Sequence, residues 1–352
     1  MGIFSVISLL GGLSIFLYGM DIMGDGLKSS SSKALKSMLE KVTHSAVLGM
    51  LTGTLVTSVI QSSTATIVLT VGLLSAGILN LRQSISIVMG ANIGTTVTAQ
   101  IIRLMDINSS GAAFIEIFKP STLAPLAVLC GIILLKFVKS QKTKGIGMML
   151  MGFGILFTGL MGMTEAVSPL SESQAFTDVL QKFSDVPILG ILTGLITTFI
   201  VQSSSAVIGM VQALSSTGAF TFQTVYPLII GINLGTCITT AIVCSIGTDK
   251  DAKRTGIAHI LFNCIGTVLF MAAIPLLHHA GALNFIWGKP MNSGGIANFT
   301  TIFNLVTAVA LLPFTNQLVK LTTLIVKDSP DDTEDFYPEM RTLDEKLFIS
   351  PA

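Results

Sequence analysis

Gln61-Ser62-Ser63-Thr64 and Gln202-Ser203-Ser204-Ser205, here called the first and second quartet, are polar stretches that each interrupt a run of apolar and small residues. When the sequence is shifted against itself by 141 positions, the two quartets coincide, and so do their surroundings. From position 48 to position 98 the match needs no gap, and 19 of the 51 pairs are identical. A long internal match of this kind indicates duplication, and duplicated membrane halves are typical of secondary transporters.

The composition is that of a membrane protein. Hydrophobic residues make up 51% of the chain and charged residues 11%, whereas a soluble domain carries about a quarter charged residues. The net charge of +1 is spread over the loops, so nucleic acid is not expected as a partner, while the lipid bilayer is. Because the cysteines and histidines show no metal-binding spacing, no cofactor is expected.

Apolar segments long enough to span a bilayer alternate with two shorter ones that carry the quartets. The arms on either side of the first quartet, 46–60 and 65–79, have 15 residues each. A spanning helix needs about 20 residues, so each quartet is predicted to lie at a re-entrant hairpin or a broken helix. The predicted spans are 3–23, 84–102, 123–138, 146–163, 225–246, 256–277 and 296–318.

The distribution of lysine and arginine predicts the topology. If the N-terminus is outside and each motif segment returns to the side it entered from, 16 of the 20 Lys and Arg residues are cytoplasmic, as the positive-inside rule requires. Loops 24–44 and 136–144 are then inside, and the acidic loop 164–186 is outside. With this layout the two motif segments enter from opposite sides, so the repeats are inverted.

The predicted fold class is therefore an all-α polytopic membrane protein with two inverted-topology repeats, each with a re-entrant hairpin or broken helix that carries a QSS[ST] motif. The expected organisation is membrane repeat 1 in 1–140, inverted membrane repeat 2 in 141–280, a last transmembrane helix in 281–327 and a cytoplasmic tail in 328–352. Both the N-terminus outside and the C-terminus inside follow from the charge bias.

The quartets combine hydroxyl donors and acceptors with an amide and carry no charge. At a helix break, N-terminal ends favour an anion, and C-terminal carbonyls suit a hard cation such as sodium. Two breaks brought together would form one central site. Isolated Ser or Thr in a span more often joins helices to each other, but that role does not explain the same cluster in both halves. Duplicated polar positions on the spans that follow are candidates to complete the site: Asn92, Thr95, Thr98, Asn233, Thr236 and Thr239.

One acidic residue, Asp21, falls within the predicted spans, near the end of the first. At that position we expect it to lie at the membrane interface.

Each quartet is followed about 30 residues later by Gly-x-Asn-x-Gly-Thr, at 90–95 and 231–236, and His259-Ile260-Leu261-Phe262-Asn263 matches a recurring His-x-x-Phe-Asn element. In these motifs the chain resembles the sodium–phosphate cotransporter family, the type II cotransporters and their bacterial relatives. It departs from the pattern at Thr64, which replaces a serine, and at Thr300, where a second histidine is expected.

The resemblance implies a sodium-coupled symporter that imports inorganic phosphate across the bacterial cytoplasmic (inner) membrane by alternating access. It implies phosphate-binding residues Ser62, Ser63, Thr64, Ser203, Ser204 and Ser205. It implies sodium-binding residues Gln61, Asn92, Thr95, Gln202, Ser203, Asn233, Thr236 and Thr239. A homodimer and a PhoU-like regulatory domain or protein are further candidate partners, and the chain is expected to be the membrane part without the C-terminal PhoU-like domain.

Three other functions compete with this one. The same scaffold would suit another small anion, such as sulfate or a carboxylate, and a phosphate channel or sensor would share the motifs. An intramembrane enzyme is disfavoured, because the spans hold no acid–base pair and the serines lack a repeated neighbouring His or Lys.

Overall fold

The computed structural model describes residues 3–40, 45–106, 119–245 and 250–327. Within these ranges the regular elements are helical, apart from one isolated antiparallel bridge between Thr221 and Pro290. The predicted tail, 328–352, lies outside the described residues. The helices are α1 (Ile3–Glu40), α2 (Ala46–Ile60), α3 (Ser63–Ser75), α4 (Leu81–Ile102), α5 (Pro120–Phe137), α6 (Gln141–Val167), α7 (Gln174–Asp185), α8 (Pro187–Val201), α9 (Ser204–Ser215), α10 (Phe222–Ser245), α11 (Lys250–His279), α12 (Ser293–Leu311) and α13 (Thr315–Ile325).

Seven helical segments of the described part are long and apolar enough to cross a membrane, and an eighth is obtained if the bent pair α7 and α8 counts as one span. This confirms an all-α polytopic membrane protein. The seven segments are those that the sequence predicts, while α2, α3 and α9 are shorter apolar helices.

Two predicted loops are wrong in part, because polarity ends a membrane span without ending a helix. The predicted loop 24–44 continues α1 as far as Glu40, and its Leu, Ala, Lys and Met residues are good helix formers. The predicted loop 164–186 holds the end of α6, a short 3-10 helix (Ser168–Glu172) and the amphipathic α7. The last span also runs further than expected, through a 3-10 turn (Leu312–Phe314) into α13.

Helices α1 and α6 pack closely along glycines spaced by seven residues. An ideal Cβ on Gly12 would lie 2.9 Å from the Gly159 carbonyl oxygen, and one on Gly19 would lie 2.9 Å from that of Gly152. The partner number falls as the α1 number rises, so the two helices are antiparallel. Since seven residues complete nearly two helical turns, these glycines lie on one face and let the backbones meet.

The two halves repeat one helix pair residue by residue. A Cβ on Gly90 of α4 would lie 1.9 Å from the Met50 carbonyl oxygen of α2, and a Cβ on Gly231 of α10 would lie 2.0 Å from that of Ile191 on α8. Each of these positions follows its counterpart by 141 residues. The duplication seen in the sequence therefore extends to the packing, and it fixes where each quartet sits relative to the helix that follows it.

Candidate functional site

Both quartets begin with a residue in the left-handed backbone region. Gln61 (φ 60°, ψ 20°) ends α2, and Gln202 (φ 61°, ψ 14°) ends α8. Among the described residues they are the non-glycine positions with positive φ, a conformation that costs most residues about 1–2 kcal/mol. The chain turns sharply there, because Thr57 and Thr66, nine positions apart, hydrogen bond through their Oγ1 atoms at 3.0 Å. A continuous helix would separate these residues by about 13 Å.

The second residue of each quartet caps the next helix. The Ser62 hydroxyl accepts from the Ala65 amide at 3.2 Å, and the Ser203 hydroxyl accepts from the Ala206 amide at 3.3 Å. The amides of the two residues in between have no acceptor within their helix, because a helix leaves its first N–H groups unpaired. Each break thus joins a helix N-terminus, which is partly positive, to a helix C-terminus, which is partly negative.

The hydroxyls of the last two residues in each quartet are free. Elsewhere in the spans, hydroxyls bond back to a carbonyl four residues earlier, as Thr54 does to Met50 and Thr70 does to Thr66. A residue in the first turn of α3 or α9 has no such carbonyl, because the residue four places back belongs to the preceding helix. Within the described part of the chain, four hydroxyls accordingly form no hydrogen bond: those of Ser63, Thr64, Ser204 and Ser205.

All eight quartet residues line one cavity of about 210 Å³. The rest of its wall comes from α10 and from α1. The α10 contribution is Thr236, and the α1 contribution is Leu17, Met20 and Asp21. Residues from both halves, 141 positions apart in the sequence, therefore face the same space. The serine and threonine hydroxyls, the unpaired amides and the two helix C-termini suit an anion and a small cation bound side by side.

Helix α1 reaches the cavity because it packs against both motif segments. A Cβ on Gly24 would lie 3.2 Å from the Ile60 carbonyl oxygen and 3.6 Å from the Gln61 Cβ. Two turns earlier, the buried Phe16 ring contacts Gly209 of α9. Asp21 lies between these two contacts, in the interior of a 38-residue helix. The expected interfacial position of Asp21 is therefore wrong, because α1 does not end at residue 23.

Four of the predicted sodium-binding residues lie outside the cavity wall. The Asn92 Oδ1 atom is 3.1 Å from the ring Nε2 of the buried His259, and Asn233 Oδ1 accepts from Asn304 Nδ2 at 3.3 Å. These bonds tie α4 to α11 and α10 to α12. The other two, Thr95 and Thr239, are half-buried, and the Thr95 hydroxyl donates to the Ala91 carbonyl. A sodium-binding role for these four residues stays a prediction.

The two glutamines differ although their backbones match. The Gln61 side-chain oxygen accepts from the buried Thr98 hydroxyl at 2.7 Å. Gln202 is exposed, and its amide nitrogen donates to the Phe199 carbonyl at 2.9 Å. The carboxamide oxygen of the second half is thus more open to a ligand than that of the first.

A model of the Na+/Pi-cotransporter family matches the chain twice, over residues 15–165 and 162–311. The uncharacterized protein YqeW of Bacillus subtilis is 30% identical over 88% of this chain and 95% of its own length. The putative inorganic phosphate export protein YjbB of Escherichia coli K12 is 24% identical over 94% of this chain and 58% of its own length. Human sodium-dependent phosphate transport protein 2B is 34% identical over 30% of this chain and 16% of its own length. No solved structure matches the chain.

Proposed function

Because the chain belongs to the Na+/Pi-cotransporter family, a family of transporters, we propose that it is a sodium-coupled symporter of inorganic phosphate that works by alternating access. The observation that carries the proposal is the cavity lined by both quartets. The bound phosphate would lie between the N-termini of α3 and α9, and sodium would lie toward the C-termini of α2 and α8.

The phosphate part of the proposal is supported by unsatisfied donors. Phosphate offers oxygen acceptors and a negative charge, and helix N-termini bind such groups through their amides and dipole. The free hydroxyls of Ser63, Thr64, Ser204 and Ser205 add up to four donors around the same space. This donor set also suits sulfate, so sulfate or a carboxylate is the competing anion.

The sodium part is supported by uncharged oxygens at the same breaks. Carbonyl groups at the end of a helix carry partial negative charge and coordinate Na+ in transporters with discontinuous helices. The open Gln202 carboxamide and the Thr236 hydroxyl are the side chains we assign to the cation. Gln61 would join them only after releasing the Thr98 hydroxyl.

Uptake into proteoliposomes tests the proposal. Labelled phosphate should accumulate when sodium is higher outside the vesicles than inside, and replacing sodium with choline should remove the accumulation. Equal phosphate flux with and without sodium would indicate a channel. Binding of phosphate with no flux would indicate a sensor, and equal competition by sulfate would indicate a broader anion specificity.

We propose import as the direction, because an inward sodium gradient drives a symporter inward. YjbB, whose name states phosphate export, makes export the specific alternative. Cells that lack their other phosphate uptake systems decide between them. Import predicts sodium-stimulated uptake on expression of this chain, whereas export predicts faster loss of preloaded phosphate and no gain in uptake.

A further inference from the structure

Asp21 brings the carboxylate of the cavity wall, and among the residues lining that cavity it is the charged one. It lies on α1, outside both quartets and outside the duplicated segment, so no motif points to it. The neighbouring contacts of α1 fix its position: Gly24, one turn later, lies against Ile60 and Gln61, and Phe16 lies against α9. The carboxylate is therefore held beside the helix breaks.

Nothing in the described part of the chain neutralises this carboxylate. Asp21 forms no ion pair or hydrogen bond there, and its side chain is exposed. The nearest comparison is Asp25, one turn further along α1, whose Oδ1 lies 3.2 Å from Lys28 Nζ. Ionisable residues inside membrane spans are costly and mark ion pathways, and an unpaired one beside eight polar residues needs a partner from outside the protein.

A carboxylate in this position opposes an anion in the same cavity. Two like charges within several ångströms repel each other strongly where water is scarce, and phosphate carries at least one negative charge. A cation bound between them turns repulsion into attraction on both sides. The uncharged hydroxyls of the quartets are able to serve both ions, since each accepts from one side and donates to the other.

We propose that Asp21 is a cation-binding residue of this cavity, and that its charge makes phosphate binding depend on sodium. Without sodium the carboxylate repels phosphate. With sodium bound, the carboxylate, the cation and the phosphate alternate in charge. This inference rests on the proposed function, since it assigns the charged ligand for the coupling ion at the same site.

The test measures phosphate binding to the purified full chain at increasing sodium, with choline keeping the ionic strength constant. For Asp21→Asn we expect at least a tenfold rise in the sodium concentration that gives half-maximal binding. We also expect tighter phosphate binding than wild type when sodium is absent, because the repulsion is gone. A purely structural role would weaken binding at every sodium concentration.

Two variants provide the comparison. Asp25→Asn removes a carboxylate from the same helix but not from the cavity wall, and should keep the wild-type sodium dependence. Asp21→Glu keeps the charge and should retain most of it. If Asp21→Asn does not yield folded protein, Asp21→Ser is measured in its place.

The outcomes are separable. An unchanged sodium dependence in Asp21→Asn or Asp21→Ser, in a background where wild type responds to sodium, overturns the assignment of Asp21 and leaves the proposed function intact. A wild-type chain that binds phosphate equally with and without sodium refutes the proposed function itself.

Discussion

At the scale of single residues, the cavity is defined by hydroxyls that the fold leaves free. A serine within a helix satisfies its hydroxyl on the preceding turn, as Ser58 does on the Thr54 carbonyl at 2.7 Å. Ser63 and Ser204 stand at the first position of α3 and α9 and have no such carbonyl. Identical residue types therefore have different consequences, and position relative to the break decides which serines are available to a ligand.

Ser63→Ala and Ser204→Ala should each weaken phosphate binding about tenfold or more at fixed sodium. Each change removes a donor to a charged group, which costs about 1.5–3 kcal/mol. The effects of the two changes should be non-additive if both hydroxyls contact one ion. The measurement is direct phosphate binding to both single variants and the double variant.

Ser58→Ala is the matched control, because its hydroxyl is already bonded within α2. It should bind phosphate like wild type. Wild-type affinity in either Ser63→Ala or Ser204→Ala would mean that the quartets do not hold the anion jointly.

Gln202→Gly should raise the sodium concentration required for half-maximal uptake, with little loss of folded protein. Glycine adopts the left-handed backbone of this position without strain, so the substitution removes the carboxamide and spares the break. Gln202→Ala should lose the same response and also some stability, because alanine is strained at φ 61°. Sodium titration of phosphate uptake, normalised to inserted protein, is the readout. If Gln202→Gly titrates like wild type, the carboxamide is excluded from the cation site.

At the scale of helices, close approach of backbones holds the site together. The α1–α6 pair and the two copies of the α2–α4 arrangement all depend on glycines whose missing Cβ atoms make room for a neighbouring backbone. Without a hydrophobic driving force between helices in lipid, such close contacts supply much of the association energy. Since α1 carries Asp21 to the cavity, its packing against α6 also positions the site.

Gly19→Ala should destabilise the protein by at least about 1–3 kcal/mol, the usual cost of overpacking. The added Cβ would lie 2.3 Å from the Leu156 backbone nitrogen, so one of the two helices must move. Gly11→Ala is the control on the same helix, because no atom lies within 4 Å of its added Cβ. Thermal unfolding in detergent should show a lower Tm for Gly19→Ala alone; equal Tm values for both variants would contradict the packing.

At the scale of the whole molecule, contacts between distant segments agree with the predicted sides of the membrane. The Asp106 carboxylate after α4 accepts from the Ser293 amide at the start of α12, both at ends predicted to be outside. The Arg254 guanidinium of α11 donates to the Val326 carbonyl after α13, both at ends predicted to be inside. Such agreement is expected if the charge bias reports the true topology.

Cysteine labelling from the two sides of the membrane tests the inverted topology. Ser140→Cys, before α6, should react from the cytoplasmic side, and Gly288→Cys, before α12, should react from the outside. The background must lack Cys130 and Cys264, which are exposed free cysteines. Labelling of both positions by an impermeant reagent from one side would show that the layout is wrong.

The sequence by itself determined the duplication, the spans, the position of the two breaks and the membrane class. These are properties of local composition and of one stretch compared with another, so they survive without knowledge of packing. The glycines at 12 and 19, expected to permit close packing, are confirmed in that role, while Gly11 beside them faces open space.

Only the tertiary structure decided which side chains share the cavity. Asn92 and Asn233 repeat in the sequence as faithfully as the quartets, yet their helices turn them toward α11 and α12. Asp21 repeats nowhere in that match, yet α1 carries it to the cavity wall. The physical reason is that the facing of a helix depends on which neighbours its small residues admit, and those neighbours come from the other half of the chain.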